Sequence, residues 1–388
     1  MHYRMIPRLG AHASIIGFGG EHMLGRTEAD VFRTIDHAIG RGINIFDLFW
    51  PQADFRDAIS KAFRGRRDSL ILQGHIGTVM VGNQYSRSRN VALSRKYFED
   101  FLRRFHTDYV DIGMMHFVDT MADYEEAFES DFIRYVEGLK RDGKVRCIGV
   151  SCHTASTAMR MIDTGLIDVL MFSINAAFDV FPKDLTLENA IDNLAFRDVE
   201  QYSAVDEDRM KLYRLCEEKG IAITVMKTYG GKLLLFDETS PFGKKLSPAQ
   251  CIEYALSRPG VVSALIGCKT PEEVDTALHY LDAAPEERDY SQITNSPKYR
   301  IHGKCVYCGH CSPCPQGITV ADVTKYLDMA RDFGEIPATI AGHYWGLSHT
   351  AEECISCGQC ERRCPFGVKI IDNMKQAKEI FGPHRCTG

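Results

Sequence analysis

The amino-acid sequence predicts a (β/α)8 barrel followed by a small cysteine-rich domain. From residue 13 to about residue 282, short apolar runs alternate with amphipathic stretches, and the alternation recurs eight times. Strand and helix alternating in this way is the pattern of parallel βαβ units, and eight of them match a closed barrel. A doubly wound open sheet is the alternative. Its first strand is normally followed by G-x-G-x-x-G, whereas this chain reads GFGGEHMLG there.

Eight short apolar runs are the predicted barrel strands. They are Ser14–Gly17, Ile43–Asp47, Ser69–Gly74, Tyr109–His116, Val145–Val150, Val169–Ile174, Ala222–Met226 and Val262–Ile266. The predicted helices cover residues 28–41, 53–64, 90–105, 122–141, 154–164, 207–219, 247–258 and 271–282. Thr27 with Asp30, and Ser247 followed by Pro248, are typical helix starts and support the count.

The connections between these elements suggest the domain boundaries. The stretch from Phe181 to Val205 is longer than a usual barrel loop and follows a strand end, so we expect it to form a partial lid over the site. The region after residue 282 carries Pro285, Pro297 and mixed charges, as linkers do. We therefore expect a barrel over residues 1–284, a linker over 285–300 and the cysteine-rich domain over 301–388.

Composition excludes several classes of protein. The 388 residues are 45% apolar and 25% charged, which is ordinary for a globular chain. A net charge of -6 provides no basic stripe for a phosphate backbone, so we expect no nucleic-acid partner. No apolar run has the length of a membrane span, and the first residues lack a signal-peptide core. These features predict a cytoplasmic protein with no membrane association.

Two cysteine runs near the C-terminus, each ending in Cys-Pro, predict two [4Fe-4S] clusters. The second run reads C-x2-C-x2-C-x3-C-P, the bacterial ferredoxin pattern, in which the fourth Cys binds the other cluster. The first run differs in its last spacing, which is x2. Crossed ligation assigns one cluster to Cys305, Cys308, Cys311 and Cys364, and the other to Cys354, Cys357, Cys360 and Cys314. Zinc is the alternative, but zinc sites usually pair two C-x2-C units across a longer loop.

Candidate site residues follow seven of the eight predicted strands, and all but the glycine after the eighth strand carry a polar side chain or a thiol. They are Asp47 and Gln52 after the second strand, His75 after the third, His116 after the fourth, Ser151, Cys152 and His153 after the fifth, Asn175 after the sixth, Lys227 after the seventh and Gly267 after the eighth. Barrel enzymes carry their catalytic groups at these C-terminal strand ends. The convergence of Asp47, His75 and His116 on one mouth therefore predicts an active site.

In these segments the chain resembles the aldo-keto reductases, specifically a bacterial branch with a C-terminal ferredoxin-type domain. The blocks that carry the resemblance are GFGG, GINIFD, TDYVDIGMMH, GKVRCIGVS, TVMKTYGGKLL and LSPAQCIEYALSRPGVVSALIGCKTPEEV, in this order along nearly the whole chain. The family's tetrad is an Asp, a Tyr five residues later, a Lys on the third strand and a His on the fourth. Asp47 and His116 match it, whereas Gln52 stands at the Tyr position and His75 at the Lys position.

These two departures change the expected chemistry. The resemblance implies that a tyrosine acts as general acid in carbonyl reduction, and the Gln52 side chain cannot exchange a proton at any usable pH. Asp47 could instead orient His75 and stabilise its imidazolium, with His116 opposite, so that two imidazoles flank a substrate oxygen as acid and base. A site that has lost its activity is the alternative.

The segments after the seventh and eighth strands are candidates for cofactor binding. Glycine backbone admits phosphate oxygens, and a helix N-terminus favours an anion. In related reductases this segment holds NADPH and carries a basic residue for the 2'-phosphate, but Glu273 stands at that position, so NAD(H) is at least as plausible as NADP(H). The expected cofactor-binding residues are Ser151, Asn175, Lys227, Gly230, Gly231, Gly267, Lys269, Thr270 and Glu273. An ordinary strand–helix turn is the alternative for the last segment.

These features together predict an iron-sulfur oxidoreductase of an anaerobe, acting on a small hydroxy or carbonyl compound such as a sugar or a steroid-like alcohol. Its expected partner is a ferredoxin or another electron carrier. A hydride carries two electrons and each cluster passes one, so a flavin is a possible further cofactor, although the sequence shows no flavin fingerprint. The alternatives are a cluster-assisted dehydratase or lyase without nicotinamide turnover, and a non-catalytic electron-transfer subunit.

Overall fold

A computed structural model describes residues 1–82, 84–180, 206–295, 303–332 and 336–382. The chain divides into two compact units that alternate along the sequence. The first, called here the barrel unit, comprises Met1–Asn175, Gly220–Gly231 and Gly260–Ala284. The second, the cluster unit, comprises Ala176–Lys219, Lys232–Pro259 and Pro285–Gly388. The predicted lid over residues 181–205 lies outside the described residues.

Twelve strands lie in the described part of the barrel unit. They are β1 (Tyr3–Ile6), β2 (Ala11–Ser14), β3 (Ile16–Gly19), β4 (Ile45–Leu48), β5 (Ile71–Ile76), β6 (Thr78–Val81), β7 (Gln84–Arg87), β8 (Val110–Met115), β9 (Val145–Cys152), β10 (Val169–Ser173), β11 (Ala222–Met226) and β12 (Val261–Gly267). Eight of them close in the order β10-β11-β12-β3-β4-β5-β8-β9, all neighbours running parallel. The predicted (β/α)8 barrel is therefore confirmed.

The α-helices of the described ranges follow these strands and then continue into the cysteine-rich region. They are α1 (Glu28–Gly40), α2 (Ala53–Phe63), α3 (Val91–Arg104), α4 (Met121–Phe128), α5 (Asp131–Arg141), α6 (Ala155–Ile162), α7 (Glu207–Glu218), α8 (Pro248–Leu256), α9 (Pro271–Leu278), α10 (Pro285–Arg288), α11 (Val320–Asp332), α12 (Ala338–Trp345), α13 (Gln359–Arg363) and α14 (Ile370–Phe381). The region predicted as one helix over 122–141 contains two, because the Ser130 hydroxyl accepts the Phe132 N–H and starts α5 anew.

Two antiparallel hairpins were not predicted. The first, β1–β2, contributes Ile6 and Ala13 to a buried cluster with Ile45, Ile71 and Val169, which begin three barrel strands. This hairpin therefore packs at the N-terminal end of the barrel. The second, β6–β7, follows β5 directly and lies on the side where the C-terminal strand ends meet. The first hairpin covers the N-terminal end of the barrel core. The second hairpin contributes a side chain to the site described below.

In the cluster unit, each cysteine run precedes a helix. Cys305–Cys314 leads to α11 and Cys354–Cys364 leads to α14, and these two helices contact each other along buried apolar side chains that include Leu327 and Met374. Phe381 at the end of α14 stacks on Tyr344 of α12, with ring centroids 4.0 Å apart. No helix within the described ranges has the length and apolar character needed to cross a bilayer.

Candidate functional site

Asp47, His75 and His116 come together at the C-terminal end of the barrel. Asp47 on β4 pairs with Gln73 of β5, and His75 of β5 pairs with Met114 of β8, so consecutive parallel strands bring the three groups to one edge. All three are buried, with exposures of 3% for Asp47, 3% for His75 and 8% for His116. The structure thus brings together the predicted catalytic residues.

The three side chains form a continuous series of hydrogen bonds. His75 Nε2 lies 2.9 Å from Asp47 Oδ1, and His75 Nδ1 lies 2.7 Å from His116 Nδ1. His116 Nε2 in turn contacts the hydroxyl of Tyr85. The imidazoles therefore stand in series between a carboxylate and a phenol, and each uses both of its ring nitrogens.

The carboxylate fixes the proton positions along this series. An ionised Asp47 can only accept, so His75 carries its proton on Nε2 and presents Nδ1 as an acceptor. His116 must then donate through Nδ1, which leaves its Nε2 to accept the Tyr85 hydroxyl proton. Burial, reinforced by His75 and by the guanidinium groups of Arg89 and Arg87, holds the pKa of His116 well below its ordinary value. The His116 ring is accordingly neutral in the resting arrangement.

Gln73 orients Asp47 from within the barrel. Its Nε2 donates to Asp47 Oδ1 at 2.7 Å, and its Oε1 accepts from the Thr224 hydroxyl at 3.1 Å. Gln73 is fully buried and lies two residues before His75, so both side chains point to the barrel interior. Gln73 was not among the predicted site residues. The signal that could have identified it is a polar residue within the apolar run ILQGH, in phase with His75.

Tyr85 was also missed, and the β6–β7 hairpin supplies it. Gly77 has φ +89°, and a Cβ there would lie 2.8 Å from the Ser88 carbonyl oxygen, so glycine permits the tight turn out of β5. Tyr85 pairs with Met80, whose carbonyl accepts the Tyr97 hydroxyl of α3 at 3.2 Å. The hairpin and its support by α3 thus place the phenol against His116.

Aromatic rings surround the imidazole pair. The Phe49 ring stacks on His116 with an interplanar angle of 14° and a centroid separation of 5.5 Å. Phe49 and Trp50 both pack edge-on against Tyr85, with centroids 5.8 Å and 4.9 Å away. These apolar faces lower the polarity around the two imidazoles, which strengthens the electrostatic interactions of the series.

Gln52 takes no part in the series. It stands at the N-cap of α2 without a capping side-chain bond. Its Oε1 is buried and finds no hydrogen-bond partner among the described residues. The side chain at the family's tyrosine position is therefore structurally separate from the acid–base groups.

Three predicted cofactor-binding residues make bonds within the barrel rim. Ser151 Oγ accepts the Phe117 N–H at 2.7 Å, which supports Phe117 in its unusual conformation at φ +53°. Asn175 Nδ2 donates to the Lys227 carbonyl at 2.9 Å, and Lys227 also has a positive φ, of +56°. A positive φ is energetically costly for residues other than glycine, and residues with this backbone conformation are concentrated at functional sites. The rim is therefore held in a defined shape at the ends of β8 and β11.

The remaining predicted cofactor residues fit a 2'-phosphate poorly. The Glu273 carboxylate accepts the Lys269 N–H at 2.6 Å, and Thr270 Oγ1 accepts the Glu273 N–H at 3.4 Å, so the chain's own groups satisfy the start of α9. A Cβ at Gly267 would lie 2.5 Å from the His22 ring, so the packing of His22 explains this glycine. Gly230 and Gly231 have φ values of +62° and +65°, which explain both glycines by backbone conformation.

The eight cysteines of the two runs surround two cavities within the cluster unit. One cavity is lined by Cys305, Cys308, Cys311 and Cys364. The other is lined by Cys314, Cys354, Cys357 and Cys360. Each foursome takes three cysteines from one run and the last cysteine of the other, as crossed ligation requires. Among the described residues, no three His, Cys, Asp or Glu side chains converge tightly enough to hold a single metal ion.

A buried cation supports the loop of the first cavity. Arg258 and the Tyr290 hydroxyl both donate to the carbonyl oxygen of Val306, which lies between Cys305 and Cys308. Tyr290 packs edge-on against Tyr254 at 5.1 Å, and Tyr254 donates to the buried Asp179 carboxylate at 2.8 Å. Hydrogen bonds and ring packing together therefore support the first cysteine loop from inside the unit.

The fold and these sites define a barrel oxidoreductase with an iron-sulfur domain. The model of the aldo/keto reductase family matches residues 15–247, and that of a 4Fe-4S dicluster domain matches residues 304–369. The chain belongs to the aldo/keto reductase family, as the sequence resemblance implied, and it is an oxidoreductase enzyme with a C-terminal ferredoxin-type domain.

Individual relatives agree with this assignment. The chain is 30% identical over 195 residues to aldo-keto reductase YhdN of Bacillus subtilis, a match covering 48% of this chain and 56% of YhdN, or little more than half of that protein. It is 23% identical over 348 residues to Protein tas of Escherichia coli, covering 76% of this chain and 96% of tas. The holo structure of aldo-keto reductase AKR11C1 from Bacillus halodurans shares the fold, with a TM-score of 0.59, 21% identity and coverages of 76% and 96%.

Proposed function

We propose that this protein interconverts a hydroxyl and a carbonyl group on a small polar substrate, with Asp47, His75 and His116 transferring protons and two [4Fe-4S] clusters exchanging the electrons. The observation that carries the proposal is the unbroken series of bonds from Asp47 through both imidazoles. A structural histidine needs only one satisfied partner, whereas two bridging imidazoles in tandem can pass a proton along their length.

The barrel side chains supply the proton chemistry. Asp47 orients His75 through their hydrogen bond, and its carboxylate is the acceptor towards which a proton entering the pair moves. Gln73 holds the carboxylate, so it cannot rotate away as charge moves. The lowered pKa of His116 keeps this ring neutral and able to accept. These features support acid–base chemistry at the barrel mouth without the tyrosine and lysine of the usual tetrad.

The cysteine cavities support two clusters. Cys305, Cys308, Cys311 and Cys364 would hold one, and Cys314, Cys354, Cys357 and Cys360 the other. Four thiolates arranged around a volume suit a polynuclear cluster better than a single zinc ion. Such clusters, when bound, each transfer one electron at a time. Oxidation of an alcohol releases two electrons and two protons. The hydroxyl proton would enter the imidazole series, the carbon-bound hydrogen would leave as a proton to solvent, and the two electrons would pass singly to a one-electron carrier such as a ferredoxin.

The start of α9 favours NAD(H) over NADP(H). The Glu273 carboxylate already occupies the start of α9, which disfavours NADP(H), and no proton transfer proposed here depends on a nicotinamide. If a dinucleotide binds at Gly230, Gly231 and Lys269, NAD(H) is the expected form, because its ribose hydroxyls can donate to a carboxylate.

An anaerobic substrate screen tests the proposal. The purified holoprotein is incubated with sugars, polyols and their carbonyl counterparts, with oxidised or reduced methyl viologen as the electron carrier. We expect a carbonyl compound to consume two reduced viologens per hydroxyl group formed. Loss of water from the substrate with no viologen consumed would instead indicate a dehydratase, and the proposed redox function would be wrong.

A further inference from the structure

The bonds of the imidazole pair leave no ring nitrogen for a substrate. His75 uses Nε2 on Asp47 and Nδ1 on His116, and His116 uses Nδ1 on His75 and Nε2 on Tyr85. Both rings are also buried, and Phe49 covers the face of His116. A substrate oxygen could bond to either imidazole only after one of these bonds had been broken.

Tyr85 differs from the imidazoles in both respects. Its side chain is only partly buried, and a hydroxyl that donates one hydrogen bond still has lone pairs to accept another. It stands at the outer end of the hydrogen-bonded series, on a hairpin that is held where it joins the barrel. The Ser88 N–H donates to the Gly77 carbonyl at 2.9 Å across the base of the hairpin. The guanidinium of Arg89, just after the hairpin, donates to the His116 carbonyl at 2.7 Å.

We infer that Tyr85 is the catalytic residue that exchanges a proton with the substrate oxygen, and that His116, His75 and Asp47 form a relay behind it. This inference rests on the proposed function, since it needs a hydroxyl or carbonyl substrate at the barrel mouth. It places a phenol at the site from the β6–β7 hairpin, although the chain has Gln52 at the position where related reductases carry tyrosine.

The proton count along the relay closes. When a substrate hydroxyl gives its proton to the Tyr85 oxygen, the Tyr85 proton moves to His116 Nε2. The Nδ1 proton of His116 then moves to His75 Nδ1, and the Nε2 proton of His75 moves to Asp47 Oδ1. One proton leaves the substrate oxygen and one arrives on the carboxylate, while the series returns to neutral rings with reversed tautomers. Protonation of a carbonyl oxygen runs through the same atoms in the opposite direction.

The electrostatic setting requires these transfers to be coupled. Burial raises the pKa of Tyr85 to about 12, with the charges of Arg87 and Arg89 opposing the shift and Glu21 adding to it. A phenol with this pKa does not ionise by itself at neutral pH. The Tyr85 proton can leave only as His116 accepts it. Because the pKa of His116 is lowered, a stable imidazolium on that ring is unfavourable, and the proton must pass on to His75. The Asp47 carboxylate at the far end supplies the final acceptor.

Replacement of the hydroxyl alone separates this role from packing. Tyr85→Phe keeps the ring against Phe49 and Trp50, so we expect substrate KM to change little while kcat falls by roughly 100-fold or more. The matched control is Tyr135→Phe on α5, because the Tyr135 hydroxyl is buried and has no hydrogen-bond partner within the described residues. This control should retain the kcat of the parent protein.

A measurement on the resting holoprotein tests the relay without any substrate. In ¹⁵N-histidine NMR at neutral pH we expect His75 to carry its proton on Nε2 and His116 on Nδ1, with the His116 Nε2 resonance moving when Tyr85→Phe removes its donor. A proton on His116 Nε2 in the parent protein would overturn the inference, because that nitrogen could not accept from Tyr85. Full kcat in Tyr85→Phe on a substrate that the parent protein converts would also overturn the inference. Absence of any turnover by the parent protein would instead contradict the proposed function itself.

Discussion

His75 and His116 face each other through their Nδ1 atoms, which lie 2.7 Å apart. Two neutral imidazoles can share such a contact only if one ring donates and the other accepts. Because Asp47 fixes the proton of His75 on Nε2, His116 is the donor. The relationship makes the pair directional, since a proton entering at His116 Nε2 has one path to Asp47.

Removal of either imidazole should interrupt this path. We expect His75→Ala and His116→Ala each to lower turnover by roughly 100-fold to 10,000-fold, the range typical of general acid–base groups. Far-ultraviolet circular dichroism and the iron content of each variant should match the parent protein. Full activity in both variants would show that the imidazoles are bystanders.

The lowered pKa of His116 also predicts how stability depends on pH. A histidine whose pKa is lower in the folded protein binds its proton more readily when unfolded, so folding stability falls as pH drops below about 6.5 towards the folded-state pKa. The slope from one such group reaches about 1.4 kcal/mol per pH unit. Anaerobic urea unfolding at pH 7.5 and at pH 5.5 measures the change in the free energy of unfolding between these two pH values. His116→Gln should lose less stability between these two pH values than the parent protein, and an equal loss in both would contradict the assignment.

Crossed ligation predicts which cysteine variants behave alike. Cys364→Ser lies in the second run but lines the first cavity, so it should remove the same cluster as Cys305→Ser. Cys314→Ser should resemble Cys354→Ser for the corresponding reason. Iron analysis should fall from about eight to about four per chain, and electron paramagnetic resonance of the reduced variants should give two spectral classes. If variants of the same cysteine run lost the same cluster, crossed ligation would be contradicted.

The carboxylate at the start of α9 predicts the choice of dinucleotide. A 2'-phosphate beside Glu273 would cost on the order of 1 to 3 kcal/mol, or about 5-fold to 150-fold in affinity, so NADH should bind more tightly than NADPH. Glu273→Arg should shift the preference towards NADP(H). Anaerobic calorimetry with NADH and NADPH measures this preference. Glu272→Arg, at the neighbouring position, is the control. Tighter binding of NADPH by the parent protein would show the prediction to be wrong.

The sequence predicted the barrel strands and the three catalytic candidates because both depend on local periodicity and on the common edge of parallel strands. It did not reveal Tyr85, because that side chain reaches the site through a hairpin outside the βα repeat. A hairpin signal was present, since Gly82 and Asn83 separate two alternating runs after β5. The series arrangement of the imidazoles also lay beyond the sequence. Spacing places His75 and His116 on adjacent strands, but only their ring orientations decide whether they flank a substrate or bond to each other.

A double-mutant cycle at His75 and His116 tests the relay most directly. Residues that act as one unit lose their function together, so their effects on catalysis are strongly non-additive. We predict that the variant with both His75→Ala and His116→Ala loses no more turnover than the more damaging single variant, measured as kcat with viologen under anaerobic conditions. A loss equal to the product of the two single losses would show that the imidazoles act independently and would contradict the relay.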